Sequence, residues 1–243
     1  MLRLILTLPV VLLFSCREKT PAEPKENSPE VITEVRQQQE ISQAEQEMLD
    51  AGLTDLQTSL PGIFVDLKYS GTDNFLHADV YGELNRAYAQ PDVAEKLKKA
   101  YALLKSKDSS LTFLIYDAAR PLSVQQKMWE MVNIPGSDKT KYVSNPAQHS
   151  VHNYGAALDI TICDLQGNPL DMGTPFDYFG ELAQPQLESI MLSEGKLTEQ
   201  QIANRKLLRT VMQQAGFRQL PTEWWHYNSC SRTTAKLKYK LIE

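Results

Sequence analysis

The stretch "AALDITI", residues 156–162, places a carboxylate inside an apolar run. As a β-strand it puts its large apolar side chains on one face, and Asp159 shares the other face with small or hydroxyl residues. An ionised carboxylate held there costs several kcal/mol unless a cation or several hydrogen bonds compensate it. Two explanations stay open for Asp159 alone: it accepts hydrogen bonds from a neighbouring loop, or it binds a metal.

His152 favours the metal. It lies seven residues before Asp159, and Gly155 between them can supply the turn that brings the imidazole back toward the strand. One nitrogen and one oxygen ligand form a mixture that Zn²⁺ accepts. His149 is a rival ligand, ranked below His152 and expected beside the site or at the surface. His77 is expected at the surface.

The segment "TEWWHYN", residues 222–228, can complete the site. A catalytic zinc needs three protein ligands, an open position and a nearby carboxylate that takes a proton from water. His226 can be the third ligand and Glu223 the base, if a turn or bulge brings them to the same side. The alternative is a buried aromatic strand with Glu223 in a salt bridge. No HExxH motif is present, which excludes the helical zinc-protease arrangement.

Arg120 follows a predicted strand in "YDAARP", residues 116–121, and precedes Pro121. Its guanidinium can reach a cleft at the sheet edge and stabilise an oxyanion there. A structural arginine paired with Asp117 or with a helix end is the alternative.

These motifs together resemble the zinc D-alanyl-D-alanine dipeptidase family of the VanX type. The pattern Ser150-x-His152-x-x-Gly155-x-Ala157-x-Asp159 is followed by Glu223-x-Trp225-His226. Further similar stretches are "YSGTDNF" at 69–75, "DAARP" at 117–121, "DMGTPFD" at 171–177 and "NRKLLRTVMQQAGF" at 204–217.

The resemblance implies a role for each matched residue. His152, Asp159 and His226 would bind zinc, and Glu223 would be the base and later the proton donor. Arg120 would steady the tetrahedral intermediate. Asp177 would receive the substrate's ammonium with Tyr69 nearby, and Ser150 would contact its terminal carboxylate. Recognition of both charged ends in one pocket would restrict the enzyme to dipeptides.

The N-terminus predicts export. Arg3 precedes an apolar run at residues 4–14 that is too short to span a bilayer, and Ser15-Cys16 ends a lipobox-like sequence. We predict a lipoprotein signal peptide at residues 1–16, lipidated at Cys16, and a disordered tether at residues 17–40. Arg17 favours sorting to an outer membrane, so the enzyme would lie in the cell envelope on the periplasmic side. An ordinary signal peptide is the alternative.

Residues 41–243 predict a single zinc peptidase domain of the α+β class, with a small, mainly antiparallel sheet flanked by helices. Helices are predicted from Pro91, from Leu122 and after the Thr198–Gln201 capping box, the last ending at Gly216. Strands are predicted at 111–117, at 155–163 and in "EWWHYN", 223–228. The spacing leaves open whether Cys163 and Cys230 form a disulfide or remain two buried thiols.

The net charge of −5, without a basic block, argues against nucleic-acid binding, and no protein partner is predicted. The expected substrate is D-Ala-D-Ala, the cofactor Zn²⁺, and the role dipeptide turnover or scavenging in the envelope rather than cytoplasmic vancomycin resistance. A D,D- or L,D-carboxypeptidase that trims peptidoglycan stems and an inactive wall-binding lipoprotein remain alternatives.

Overall fold

The computed structural model describes residues 41–243, which belong to one compact unit. The predicted signal peptide, the lipidation at Cys16 and the tether lie outside the described residues. None of the helices within residues 41–243 is long and apolar enough to cross a bilayer.

Helices lie both before and after the central strands of the chain. They are α1 (Gln43–Asp50), α2 (Leu56–Ser59), α3 (Pro91–Lys107), α4 (Leu122–Met131), α5 (Gly136–Lys139), α6 (Glu188–Ser193), α7 (Glu199–Gln214) and α8 (Arg232–Lys238). Short 3₁₀ turns connect them at Lys68–Ser70, Pro146–Gln148, Val151–Tyr154, Glu181–Ala183 and Pro185–Leu187.

Two small sheets account for the strands. The strands are β1 (Thr54–Asp55), β2 (Phe64–Val65), β3 (Tyr88–Ala89), β4 (Leu111–Asp117), β5 (Ala157–Asp164), β6 (Arg218–Gln219) and β7 (His226–Asn228). The main sheet has the order β2-β4-β5-β7-β6, and β1 pairs with β3 separately. Only β2 and β4 are parallel among these pairings. The predicted α+β class with a small, mainly antiparallel sheet is confirmed.

The core is built around β5. Leu158, Ile160 and Ile162 are fully buried on one face, and Asp159 and Thr161 are buried on the other. Helix α3 packs against α7 and β4, and α7 packs against β5. Asp159 is almost fully buried, as the strand pattern predicted.

The predicted helices form where periodicity and capping favour them. In α3, Val93, Leu97 and Leu104 are buried at helical spacing behind a proline in the first turn. Before α7, the Thr198 side chain accepts from the backbone N–H of Gln201 in a complete capping box. Gly216, at φ +95°, follows the end of α7.

The predicted strand "EWWHYN" is correct only in its second half. Strand β7 begins at His226, whereas Pro221 to Trp225 form a turn. This turn is held by hydrogen bonds from the Leu220 N–H to the His226 carbonyl, 3.0 Å, and from Gln219 Nε2 to the Trp224 carbonyl, 2.8 Å. The required turn between Glu223 and His226 is therefore present.

Cys163 and Cys230 are both free, so no disulfide joins them. Strand β5 runs antiparallel to β7 with Ala157 opposite Asn228, and Cys230 follows Asn228. Cys163 lies six residues beyond Ala157 in the other direction, about 20 Å along the strand. A disulfide needs Cα atoms within about 7 Å. The two cysteines do lie on neighbouring elements, but at opposite ends.

Gly155 provides the left-handed turn between the two predicted ligands, at φ +61°. A Cβ there would lie 2.9 Å from Leu53 Cδ2. We expect Gly155→Ala to lower the free energy of unfolding by more than the about 1–2 kcal/mol of left-handed strain alone, as measured by urea unfolding.

Gly82 offers a matched control, because it has φ +60° and open space around its Cα. Gly82→Ala should show only the strain of the backbone. Equal losses in the two variants would contradict a steric role for Leu53.

Candidate active site

Three ligand-type side chains converge from separate elements. His152 comes from the 3₁₀ turn at Val151–Tyr154, Asp159 from β5 and His226 from β7. Asp159 and His226 are paired in register across the two strands. One donor atom from each of the three lies within 4.8 Å of the others.

The hydrogen bonds around the two imidazoles fix which nitrogens face the centre. His152 Nδ1 donates to the Ala118 carbonyl, 2.7 Å away, and His226 Nε2 donates to Asn228 Oδ1, 3.0 Å away. His152 Nε2 and His226 Nδ1 then present lone pairs only 3.2 Å apart. They also lie 3.4 and 2.9 Å from Asp159 Oδ1. Two lone pairs and a carboxylate repel each other unless a cation lies between them, so this donor set fits a divalent metal such as Zn²⁺.

The pKa shifts of the side chains in this cluster are those expected of a site that binds a cation. Burial raises the pKa of Asp159, but the charges of His152 and His226 and their hydrogen bonds outweigh it and lower that pKa strongly. Burial lowers the pKa of His226, but the hydrogen bond and charge of Asp159 raise it to about 9. The site therefore binds positive charge, as a proton or as a metal ion.

Glu223 lies beside the cluster. Its Oε2 is 4.0 Å from His226 Nδ1, and about a quarter of the side chain is exposed to the cavity. Burial raises the pKa of Glu223, partly opposed by the charge of His226. A carboxylate with a raised pKa next to the three-donor cluster is suited to accept a proton from water.

Arg120 combines the two alternatives left open by its sequence. Its guanidinium is buried and ion-paired with Asp117, and its Nη1 donates to Gln125 Oε1 at 2.9 Å. The same group also lines the cavity and lies 5.1 Å from the centre of the Tyr69 ring. Burial lowers the pKa of Arg120 but Asp117 raises it well above its usual range, so the cation is permanent. The ion pair with Asp117 orients the arginine toward the cavity.

Asp177 and Tyr69 form a second acidic position in the cavity. The Tyr69 hydroxyl donates to the Asp177 carboxylate, with O···O distances of 3.0 and 3.1 Å, and the Phe75 N–H lies 3.4 Å from it. Burial and then the charge of Asp159 raise the pKa of Asp177 well above its usual range. Asp177 lies in a loop with φ +60°, and it lines the cavity.

All the proposed site residues within residues 41–243 line one cavity of about 610 Å³. These are His152, Asp159, His226, Glu223, Arg120, Asp177, Tyr69 and Ser150. Ser150 is buried, and its Oγ accepts from the His152 N–H, which leaves the hydroxyl proton available to a ligand. His149 instead pairs with the Tyr154 hydroxyl at 2.7 Å, and His77 is exposed.

A family model described as D-ala-D-ala dipeptidase matches residues 49–240. The chain belongs to the D-Ala-D-Ala dipeptidase family. The match confirms the resemblance inferred from the motifs, and with it the prediction of an enzyme of the peptidase class.

Individual relatives in the D-Ala-D-Ala dipeptidase family are about 30% identical to this chain over most of the domain. The D-alanyl-D-alanine dipeptidase of Escherichia coli is 31% identical over 175 residues, which cover 72% of this chain and 83% of the relative. That of Enterococcus faecium is 30% identical over 194 residues, 74% of this chain and 92% of the relative. That of Synechocystis is 32% identical over 164 residues, 56% of this chain and 66% of the relative.

The sequence motifs do not identify the groups that orient the side chains of the site. Asn228 lies two residues after His226 on the same face of β7, so the alternation of a strand could have identified it. The sequence suggests Asp117 as a partner of Arg120, but it gives no signal for the contact with Gln125. The Ala118 carbonyl that fixes His152 has no sequence signal, since any residue carries one.

We expect metal affinity to rise with pH, because a neutral His226 is needed to bind and its pKa of about 9 leaves it mostly protonated at neutral pH. Below that value one proton must leave for each metal bound, so the apparent affinity should rise about tenfold per pH unit between about pH 6 and about pH 8. Competition with a zinc chelator measures it, and calorimetry in two buffers counts the released protons. An affinity that does not change with pH would contradict the cluster's assigned protonation.

Proposed function

We propose that this protein is a zinc-dependent D,D-dipeptidase that hydrolyses D-alanyl-D-alanine in the cell envelope. One observation carries the proposal. The three donors of the cluster line the same cavity as Glu223, Arg120 and Asp177. Family membership supports it, since the relatives bear the name D-alanyl-D-alanine dipeptidase.

His152, Asp159 and His226 would hold the zinc. When bound, zinc supplies Lewis acidity that polarises the substrate carbonyl and makes water a better nucleophile. Glu223 Oε2 accepts the proton of the attacking water and later transfers it to the nitrogen of the leaving D-alanine. The Arg120 guanidinium stabilises the negative charge that develops on the carbonyl oxygen.

Asp177 and Ser150 recognise the two ends of the substrate. An arriving ammonium group supplies a positive charge beside Asp177. This charge lowers the pKa of Asp177 and favours the ionised carboxylate. Tyr69 holds that carboxylate in place with its hydroxyl. Ser150 Oγ donates to the terminal carboxylate. A peptide extended at its amino end lacks the ammonium at this position, which favours dipeptides over stem peptides.

The cellular setting follows from the N-terminal sequence. Export and lipidation at Cys16 would anchor the enzyme in the envelope, with outer-membrane sorting favoured by Arg17. An anchored enzyme does not meet the cytoplasmic dipeptide pool. We therefore propose turnover or scavenging of dipeptide released from peptidoglycan.

Metal analysis combined with a substrate panel tests the proposal. The zinc-loaded protein should hydrolyse D-Ala-D-Ala faster than L,D-dipeptides and faster than a pentapeptide stem ending in D-Ala-D-Ala. Preferential hydrolysis of the pentapeptide would replace the dipeptidase by a carboxypeptidase. Retention on peptidoglycan without turnover would indicate a binding protein.

A further inference from the structure

Three lysine or arginine side chains line the cavity, and one of them lacks an ionic partner among residues 41–243. Arg120 is paired with Asp117, and Lys141 Nζ lies 2.7 Å from Asp138 Oδ1. Within residues 41–243, no carboxylate lies within salt-bridge distance of Arg232. In this part of the chain its guanidinium donates to an amide oxygen, Gln148 Oε1, at 3.4 Å.

The position of Arg232 relates it to one end of the substrate. Arg232 begins α8, four residues after Asn228 at the end of β7, and its side chain is exposed. Its contact, Gln148, lies two residues before Ser150, the proposed partner of the terminal carboxylate. The charge of Arg232 also acts on the Tyr154 hydroxyl, whose pKa burial raises and Arg232 lowers. Arg232 therefore lies along the segment that carries Ser150.

Neither of the two residues proposed to bind the ends of the substrate is a cation. Asp177 provides the negative charge for the substrate's ammonium, but Ser150 offers the carboxylate only a neutral hydroxyl. A carboxylate that leaves water for a single neutral hydrogen bond pays most of its desolvation cost. A guanidinium matches a carboxylate in both charge and geometry.

We propose that Arg232 is the cationic partner of the substrate's terminal carboxylate and makes the enzyme specific for dipeptides with a free carboxyl end. This inference rests on the proposed dipeptidase function and extends it. Dipeptides whose carboxyl end is an amide gain nothing from Arg232.

The test compares Arg232→Gln with wild type on two substrates, D-Ala-D-Ala and D-alanyl-D-alaninamide, using the zinc-loaded full chain. The variant should lose about tenfold in kcat/KM on the free acid, mainly through KM, and nothing on the amide. Arg232→Lys should recover part of the loss. Lys236→Gln is the matched control, because it removes a positive charge from the same exposed helix at a residue that does not line the cavity.

Each outcome is decisive. Wild-type rates on both substrates in Arg232→Gln, or equal losses on both, would overturn the role of Arg232 while leaving the dipeptidase intact. An equal loss in Lys236→Gln would assign the effect to the general field of the helix and would also overturn it. A wild-type protein that hydrolyses neither substrate would overturn the proposed function and this inference with it.

Discussion

Glu223→Gln is expected to lower kcat for D-Ala-D-Ala by at least about 10³-fold while one zinc ion per chain is retained. The amide cannot accept the proton of the attacking water, yet it matches the carboxylate in size and leaves the three ligand side chains in place. The measurement pairs steady-state kinetics with metal analysis of the same sample. KM should change little, because Glu223 acts on water rather than on the ends of the substrate.

Glu130→Gln provides the control for this substitution. Glu130 is an exposed carboxylate on α4 and does not line the cavity, so its replacement should leave kcat unchanged. A Glu223→Gln enzyme that retains zinc and hydrolyses the dipeptide like wild type would overturn the assigned base.

Asp159→Asn is expected to reduce zinc affinity by more than about 100-fold and to abolish hydrolysis at ordinary zinc concentrations. Asp159 is almost fully buried and is the anionic member of the three-donor cluster. The substitution preserves shape but removes the charge that favours a cation between the two imidazoles. Equilibrium dialysis against a zinc buffer measures the change.

Asn228→Ala is expected to lower zinc affinity less than Asp159→Asn does. It removes the acceptor that orients His226 without removing a ligand, so we expect a loss of about 10–100-fold in zinc affinity. If Asp159→Asn bound zinc more tightly than Asn228→Ala, the assignment of Asp159 as a ligand would be wrong.

The sequence predicted the fold wherever the signal was local. Helix α3, strand β4 and helix α7 each carry their own periodicity, caps or length, and all three form as predicted. Residues 223–225 are predicted as strand because their two tryptophans favour extended structure, but they belong to the turn from Pro221 to Trp225. Its conformation depends on the backbone of β7 and on Gln219, which a local pattern does not report.

The convergence of the site residues could not be predicted from local patterns either. The candidate ligands could be chosen by chemistry and by family resemblance, but their convergence depends on the antiparallel register of β5 and β7. That register is a pairing of residues 67 positions apart, for which neither segment alone holds a signal. The unpaired charge of Arg232 likewise becomes visible only when the partners of every cavity cation are known.

The separation of Cys163 from Cys230 bears on how the domain responds to reducing agents. Burial raises the pKa of the Cys163 thiol to about 12, so it stays protonated and unreactive toward oxidants. Cys163 and Cys230 form no disulfide within residues 41–243, so this range holds its fold without that crosslink. A thiol reductant should therefore leave the fold of residues 41–243 unchanged.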